Sequence, residues 1–282
     1  MTPQRVSIHG GHSGQFCSHA QDTLEEMVRA YIDQGFAWVG LTEHMPPLSE
    51  AYLYPEERED GLDPAAMARR FAAYMAEARR LQAHYRDRIE ILVGFEAEGY
   101  AGCRTHVQRL AETSRPDYIV FGMHHVDEIP FDYSAAEYAR AATRAGGIEA
   151  LYRRYFDRQY ELIQALRPEV VAHFDLIRLY DADYAARLDL PAVKARVRRN
   201  LDLIRDVGCI LDFNVAALRK GACEPYVAPA ILEQACALGI PLVPGDDSHS
   251  VETVGKNIDK GIAILTAAGA DTRWPKPLRR RS

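Results

Sequence analysis

With 282 residues, 48% of them hydrophobic and 26% charged, the chain can bury a substantial core and suits one large α/β domain. A formal net charge of −6 argues against a nucleic-acid binder, and no apolar run approaches the roughly 18 residues that a bilayer span needs. The N-terminal stretch has no signal-type apolar segment, and the five cysteines form no CxxC pair, so reduced thiols and a cytosolic address are expected.

Along the chain, short apolar runs alternate with amphipathic stretches. Val6-Ser7-Ile8 reads as a strand leading to His9 and His12. Asp22 and Glu25 have capping-box spacing ahead of a helix bearing Leu24, Met27, Val28, Tyr31 and Ile32, which Gly35 stops. Ala37–Leu41 is a second strand, ending at Thr42-Glu43-His44. A helix from Asp63-Pro64 to about Arg86 precedes Ile89–Phe95 and Glu96. A helix over residues 105–113 leads to Tyr118–Gly122, then His124 and His125. One long helical region, 134–166, runs to Val170–Ala172 and His173. The helix from Pro191 gives way to Cys209–Phe213 and Asn214. A last helix, Pro225–Leu238, precedes Ile240–Pro244 and the group Asp246-Asp247-Ser248-His249. No linker or repeat interrupts the pattern, so 1–282 is expected to form one domain with a short polar tail from about 271, closed by a solvated Arg279-Arg280-Arg281. Strand–helix alternation implies parallel pairing with helices outside, and closure of such a sheet gathers the strand ends on one face.

Of ten histidines, eight (9, 12, 19, 44, 124, 125, 173 and 249) fall at or after strand ends, while His84 and His106 lie within helices. A single such histidine is ordinarily a structural hydrogen-bonding residue; eight together point to a metal site. Glu96 and Asp247 occupy matching positions and supply negative charge. These candidates exceed the three or four protein ligands of one tetrahedral ion, so two or three divalent cations (Zn, Mn or Fe) are expected. Adjacent cations clamp phosphate oxygens and lower the pKa of water, which suits phosphoryl transfer. Cys17, between His12 and His19, reads either as a ligand or as a small buried thiol.

The fragments His9-Gly10-Gly11-His12, Cys17-Ser18-His19, Thr42-Glu43-His44, Gly94-Phe95-Glu96, Gly122-Met123-His124-His125, Ile129-Pro130-Phe131-Asp132, Ala172-His173-Phe174-Asp175 and Asp246-Asp247-Ser248-His249 resemble, in order and spacing, the PHP family (polymerase and histidinol phosphatase), and within it the histidinol-phosphatases. The resemblance implies a distorted (β/α)7 barrel with the metal site at the C-terminal ends of its strands. It also implies three ions. One would take His9, His12, Glu96 and Asp247. Glu96 would bridge to a second held by His124 and His173, and His19, His44 and His249 would hold a third. The family usually has His-x-His where this chain has His9-x-x-His12. Either Gly10 and Gly11 form a bulge that turns both rings inward, or His12 alone is a ligand.

On the substrate side, Arg219 and Lys220 after Asn214, Arg178 after Asp175, and His125 beside His124 are candidates for the phosphate ester. Glu43 reads as a partner of a ligand histidine or as a base, and Asp175 as an acceptor for a ligand imidazole. The expected activity is hydrolysis of L-histidinol phosphate to L-histidinol and phosphate. Glu96, Asp247 and His249 would act through a metal-activated hydroxide, and the partner would be a small phosphate ester. Two alternatives stand beside it: a phosphatase for another phosphomonoester or a nucleotide, and a non-catalytic metal-binding module.

Overall fold

The computed structural model describes residues 3–277. Among the described residues nine strands occur: β1 (Val6–Ser7), β2 (Trp38–Leu41), β3 (Glu90–Glu98), β4 (Tyr118–Gly122), β5 (His125–Val126), β6 (Ile129–Pro130), β7 (Val170–Val171), β8 (Ile210–Asn214) and β9 (Leu242–Gly245). Seven of them form one parallel sheet in the order β1-β2-β3-β4-β7-β8-β9, while β5 and β6 make a small antiparallel hairpin beside it. Val39, Leu41, Val93, Phe95, Val120, Val171, Leu211 and Val243 are buried along these strands, as expected of a sheet covered on both faces.

The two outer strands approach each other as well. Ile8 N–H donates to the Pro244 carbonyl (2.9 Å), Asp247 N–H to His9 (2.9 Å) and His12 N–H to Ser248 (2.7 Å). These bonds draw the sheet into the distorted, nearly closed seven-stranded barrel that the family resemblance implies. Helices pack outside it, and no helix among the described residues is long and apolar enough to cross a membrane.

Local differences from the expected elements have physical causes. The first helix, Leu24–Asp33, is capped one residue later than expected: Thr23 and Glu26 form the capping box. Asp22 instead takes a positive φ of 47°, and its carboxylate accepts from Val251 N–H (2.7 Å), tying the first loop to the last. The expected long helix over 134–166 is two, Ala135–Ala145 and Ile148–Leu166, broken at Gly146-Gly147 (φ 91° and 118°). The last predicted helix starts later, at Pro229, because Tyr226 pairs with Asn214 in an antiparallel bridge. Of the expected polar tail, Trp274 is buried and donates its Nε1–H to the Gln4 carbonyl (2.9 Å). Residues 279–281, with the expected solvated arginines, lie outside the described residues.

Candidate metal centre

Every strand of the barrel ends near the same mouth, and β3 reaches furthest into it. Because side chains alternate along a strand, Glu96 and Glu98 point the same way, toward the residues that follow β2 and β4. Glu96 sits at the centre and is 1% exposed. Its Oε1 lies 3.0 Å from His124 Nε2 and 3.0 Å from His173 Nε2, and its Oε2 lies 3.4 Å from His9 Nε2 and 3.2 Å from His44 Nδ1. Four imidazoles thus surround one carboxylate. Asp247 makes the second focus, with Oδ1 3.4 Å from His12 Nε2 and 3.8 Å from His249 Nδ1. The His12 ring stacks at 4.4 Å on both His44 and His249, and His19 stacks on His249 at 4.9 Å.

The three-residue step from His9 to His12 is absorbed. Both rings are fully buried, 5.8 Å apart, and one ligand atom each from His9, His12 and Asp247 lie within 4.8 Å of one another. Gly10 makes this possible by close approach, since a Cβ there would meet the Gly40 carbonyl oxygen at 2.3 Å. Glycine is the only residue that fits.

Around the imidazoles stands a layer of acceptors that orients them. Asp212 Oδ2 is 3.2 Å from His9 Nδ1 and also accepts from Asn214 Nδ2 (2.9 Å). Asp132 Oδ2 is 2.8 Å from His124 Nδ1. Glu43 Oε2 is 3.4 Å from His12 Nδ1, while its Oε1 accepts from Ser13 N–H (2.7 Å) and the Ser13 hydroxyl (2.9 Å). Asp212 and Asp132 escaped the sequence reading, although Asp132 stands within a motif quoted for the resemblance. A carboxylate two strands away, or eight residues after its partner, has no spacing signature.

Electrostatics follow from the crowding. Burial alone would raise the Glu96 carboxyl, but the His9 and His124 rings hold it well below the ordinary carboxylate range. Asp247 is treated alike by burial, overcome by His9, His12 and His249. Burial, reinforced by His44 and His12, pushes His19 down to about 3, and burial with His12 also drives His249 down, which keeps both rings neutral. At His9, His12 and His124, by contrast, burial is outweighed by the neighbouring carboxylates, which raise the rings, His12 to about 9. Metal binds the neutral ring and the ionised carboxylate, so a cation entering at these three histidines displaces protons, whereas His19 and His249 are already in the binding form.

The donor set fits divalent cations on a direct observation. His9 Nε2 and both ring nitrogens of His12 and of His44 are buried without a hydrogen-bond partner, which is costly unless something electropositive meets them. Three groups of potential ligand atoms are close enough to share an ion: His9-Glu96-His173, His9-His12-Asp247 and His12-Cys17-His44-His249. Cys17 enters the last of these in the place expected of His19, whose Nε2 lies 3.3 Å from Cys17 Sγ.

A cavity of about 240 Å³ opens on the cluster, lined by His19, His44, Glu96, His124, His173, Asp247 and His249 on the inner side. Tyr54, Glu56, Asp132, Tyr133 and Lys220 line the rest. A wider cleft of about 590 Å³, lined by Asp127, Glu128, Ile129, Arg140, Thr143 and Arg144, shares no residue with it and carries none of this chemistry.

Of the four residues expected on the substrate side, only Lys220 lines the cavity. Arg178 is buried, 4% exposed, with its guanidinium donating to Asp175 Oδ2 (3.0 Å) and to the Glu224 (3.1 Å) and Pro225 (2.6 Å) carbonyls. Its charge is spent on the fold. Arg219 donates to the carbonyls of Asp246 and Asp247 (2.7 Å to the latter) and so braces the loop that presents Asp247. His125 turns away from His124, packing among Tyr52, Tyr54 and Tyr100 with its Nδ1 3.7 Å from Glu98. Asp175, expected beside a ligand imidazole, instead accepts from Arg178 and from Ala228 N–H (2.9 Å). Tyr54 and Glu56 were missed, because nothing in their local sequence marks them as pocket residues; Tyr133 belongs to a tyrosine-rich stretch, 133–160, that reads as pocket lining or, more commonly, as packing, and it lines the cavity.

Comparison with known proteins gives concordant results. The PHP domain family matches residues 10–216. A Schizosaccharomyces pombe protein named "Probable histidinol-phosphatase" is 37% identical over 268 residues, covering 94% of this chain and 87% of the relative. A Listeria monocytogenes crystal structure provisionally assigned as a histidinol phosphatase superposes with a TM-score of 0.80 at 24% identity, covering 90% of this chain and 99% of that one. The histidinol phosphate phosphatase of Lactococcus lactis, solved with zinc, L-histidinol and phosphate, superposes at 0.70 with 17% identity and 95% coverage of both chains.

Proposed function

The chain belongs to the PHP domain family, and from that premise we propose that it hydrolyses L-histidinol phosphate to L-histidinol and inorganic phosphate, a step of histidine biosynthesis. The observation that carries this reading is Glu96 ringed by four imidazoles, beside the Asp247 focus, at the floor of a cavity that also presents a free-standing lysine. His9, His12, Glu96 and Asp247 would hold one divalent cation. Glu96 with His124 and His173 would hold a second, and His44 and His249, with His19 or Cys17, a third. Zinc, as in the Lactococcus lactis structure, manganese and iron all suit this donor set. When bound, such cations neutralise phosphate charge and make water nucleophilic at neutral pH.

The chain's own residues do the rest. Lys220 adds positive charge where the phosphate oxygens enter. Asp132 and Asp212 hold the rings of His124 and His9 in one orientation, so little rearrangement accompanies binding there, while Glu43 stands 3.4 Å from His12 Nδ1. Arg219 fixes the carbonyls flanking Asp247. The barrel acts as one unit, because the ligand set is drawn from nearly every strand end. A cytosolic location accords with cysteines that are all unpaired.

The test is elemental analysis of protein purified without added metal, followed by phosphate release from L-histidinol phosphate, nucleotide monophosphates, glycerol phosphate and p-nitrophenyl phosphate. Bound divalent metal and a clear preference for L-histidinol phosphate are expected. A preference for nucleotides would defeat the substrate assignment, and silence toward every ester with every metal would leave only a metal-binding module.

A further inference from the structure

The cavity before the cluster contains one carboxylate that no basic group claims. Of the acidic residues lining it, Glu96, Asp132 and Asp247 each face imidazoles, whereas Glu56 takes part in no ion pair among the described residues. Glu56 Oε1 accepts from the Tyr133 hydroxyl (3.2 Å), and its Oε2 is shielded from solvent with no hydrogen-bond partner. A carboxylate oxygen withdrawn from water and left unsatisfied is costly, so a cationic donor brought by a ligand is the natural complement.

The segment that presents Glu56 is braced. It belongs to the short helix Pro55–Glu59, where Glu57 Oε2 accepts from Tyr54 N–H (2.9 Å) and Arg58 donates to the Glu50 (2.7 Å) and Leu53 (3.2 Å) carbonyls. Arg58 is thereby occupied by backbone and is not held by its neighbour Glu56. Lys220 and the metal-type cluster line the same cavity; with cations bound they would present positive charge to an anion, while Glu56 offers a carboxylate to a cation.

We propose that Glu56, steadied by Tyr133, binds the primary ammonium of the substrate and makes the enzyme selective for aminoalkyl phosphomonoesters. This rests on the phosphatase reading above. The phosphate goes to the cluster and Lys220, and the ammonium spans back to Glu56.

The experiment compares ester pairs that differ only in the amine, namely phosphoethanolamine with ethyl phosphate, alongside L-histidinol phosphate, for the wild-type enzyme and for Glu56→Gln. The wild type favours the amine-bearing member. In Glu56→Gln that kcat/KM ratio falls roughly 10–100-fold, the worth of one charged hydrogen bond, mainly through KM. A smaller fall is expected for Tyr133→Phe. An unchanged ratio, or equal losses on both members, overturns the proposal while leaving the phosphatase reading intact. If the wild type releases phosphate from no ester, the phosphatase reading fails instead. Calorimetric binding of L-histidinol to the metal-loaded protein still reads the subsite: weaker binding by Glu56→Gln supports it, and equal binding refutes it.

Discussion

Gly122 closes β4 two residues before His124, and a single methyl group added there tests the whole assembly. A Cβ on Gly122 would lie 2.3 Å from Glu96 Oε1, 2.4 Å from His124 Nε2 and 2.9 Å from His173 Cε1, where ordinary contact begins at 3.4 Å. Gly122→Ala therefore requires the carboxylate or the rings to retreat by about 1 Å, the gap between those distances. Overpacking of this kind costs about 1–3 kcal/mol of stability, which a barrel of this size survives. The larger effect falls on geometry, since a shift of about 1 Å in a positioned group costs on the order of 10²-fold in rate. Urea denaturation, elemental analysis and phosphate release on the same preparation separate the two effects. A folded protein with reduced metal content and kcat/KM lowered on the order of 10²-fold is expected. Full metal content with undiminished turnover would mean that Glu96, His124 and His173 do not converge on an ion.

Other perturbations probe the layers around the centre. Asp212→Ala removes the acceptor facing His9 Nδ1 and is expected to weaken metal affinity about 10–100-fold, measured by competition with a chromogenic chelator. Arg178→Met leaves Asp175 buried without its cation and should cost about 3–5 kcal/mol in urea denaturation. A raised KM with unaltered stability would instead return Arg178 to the substrate. Glu25, bonded to Arg80, Tyr85 and Arg29, has its carboxyl pulled down to about 2 from an ordinary 4.5. Its folded pKa is lowered, so its stabilisation is present above pH 4.5 and is lost as pH falls toward 2. Because the group is partly solvated, the gap between wild type and Glu25→Gln should be under about 1 kcal/mol at pH 7 and shrink in acid. Urea midpoints of the two proteins in chelator at several pH values check this, and a pH-independent gap contradicts it.

The positions of the strands were legible because buried parallel strands are short apolar runs, and the residue just past each run was polar. That rule located His44, Glu96, His124, His173 and Asp247 at one mouth without any knowledge of side-chain direction. Direction was the part left open. His124 and His125 are neighbours of one chemical type, yet one meets Glu96 and the other packs among tyrosines, since consecutive side chains face opposite ways. Arg219 and Lys220 divide similarly: the first binds carbonyls and the second reaches the cavity. Cations were expected on phosphate because their charge suits it, but buried carbonyls need donors too, and Arg178 serves those. The break at Gly146-Gly147 was printed in the sequence and overlooked, because the apolar pattern on either side is helical.

The seam of the barrel has a dynamic consequence. Its outer strands are joined by amides of Ile8, His12 and Asp247, two of them residues whose side chains face the centre. Opening of the sheet at that edge would therefore displace the backbone that carries two members of the histidine–carboxylate cluster. Deuterium uptake at these three amides would report how firmly the seam holds that part of the site.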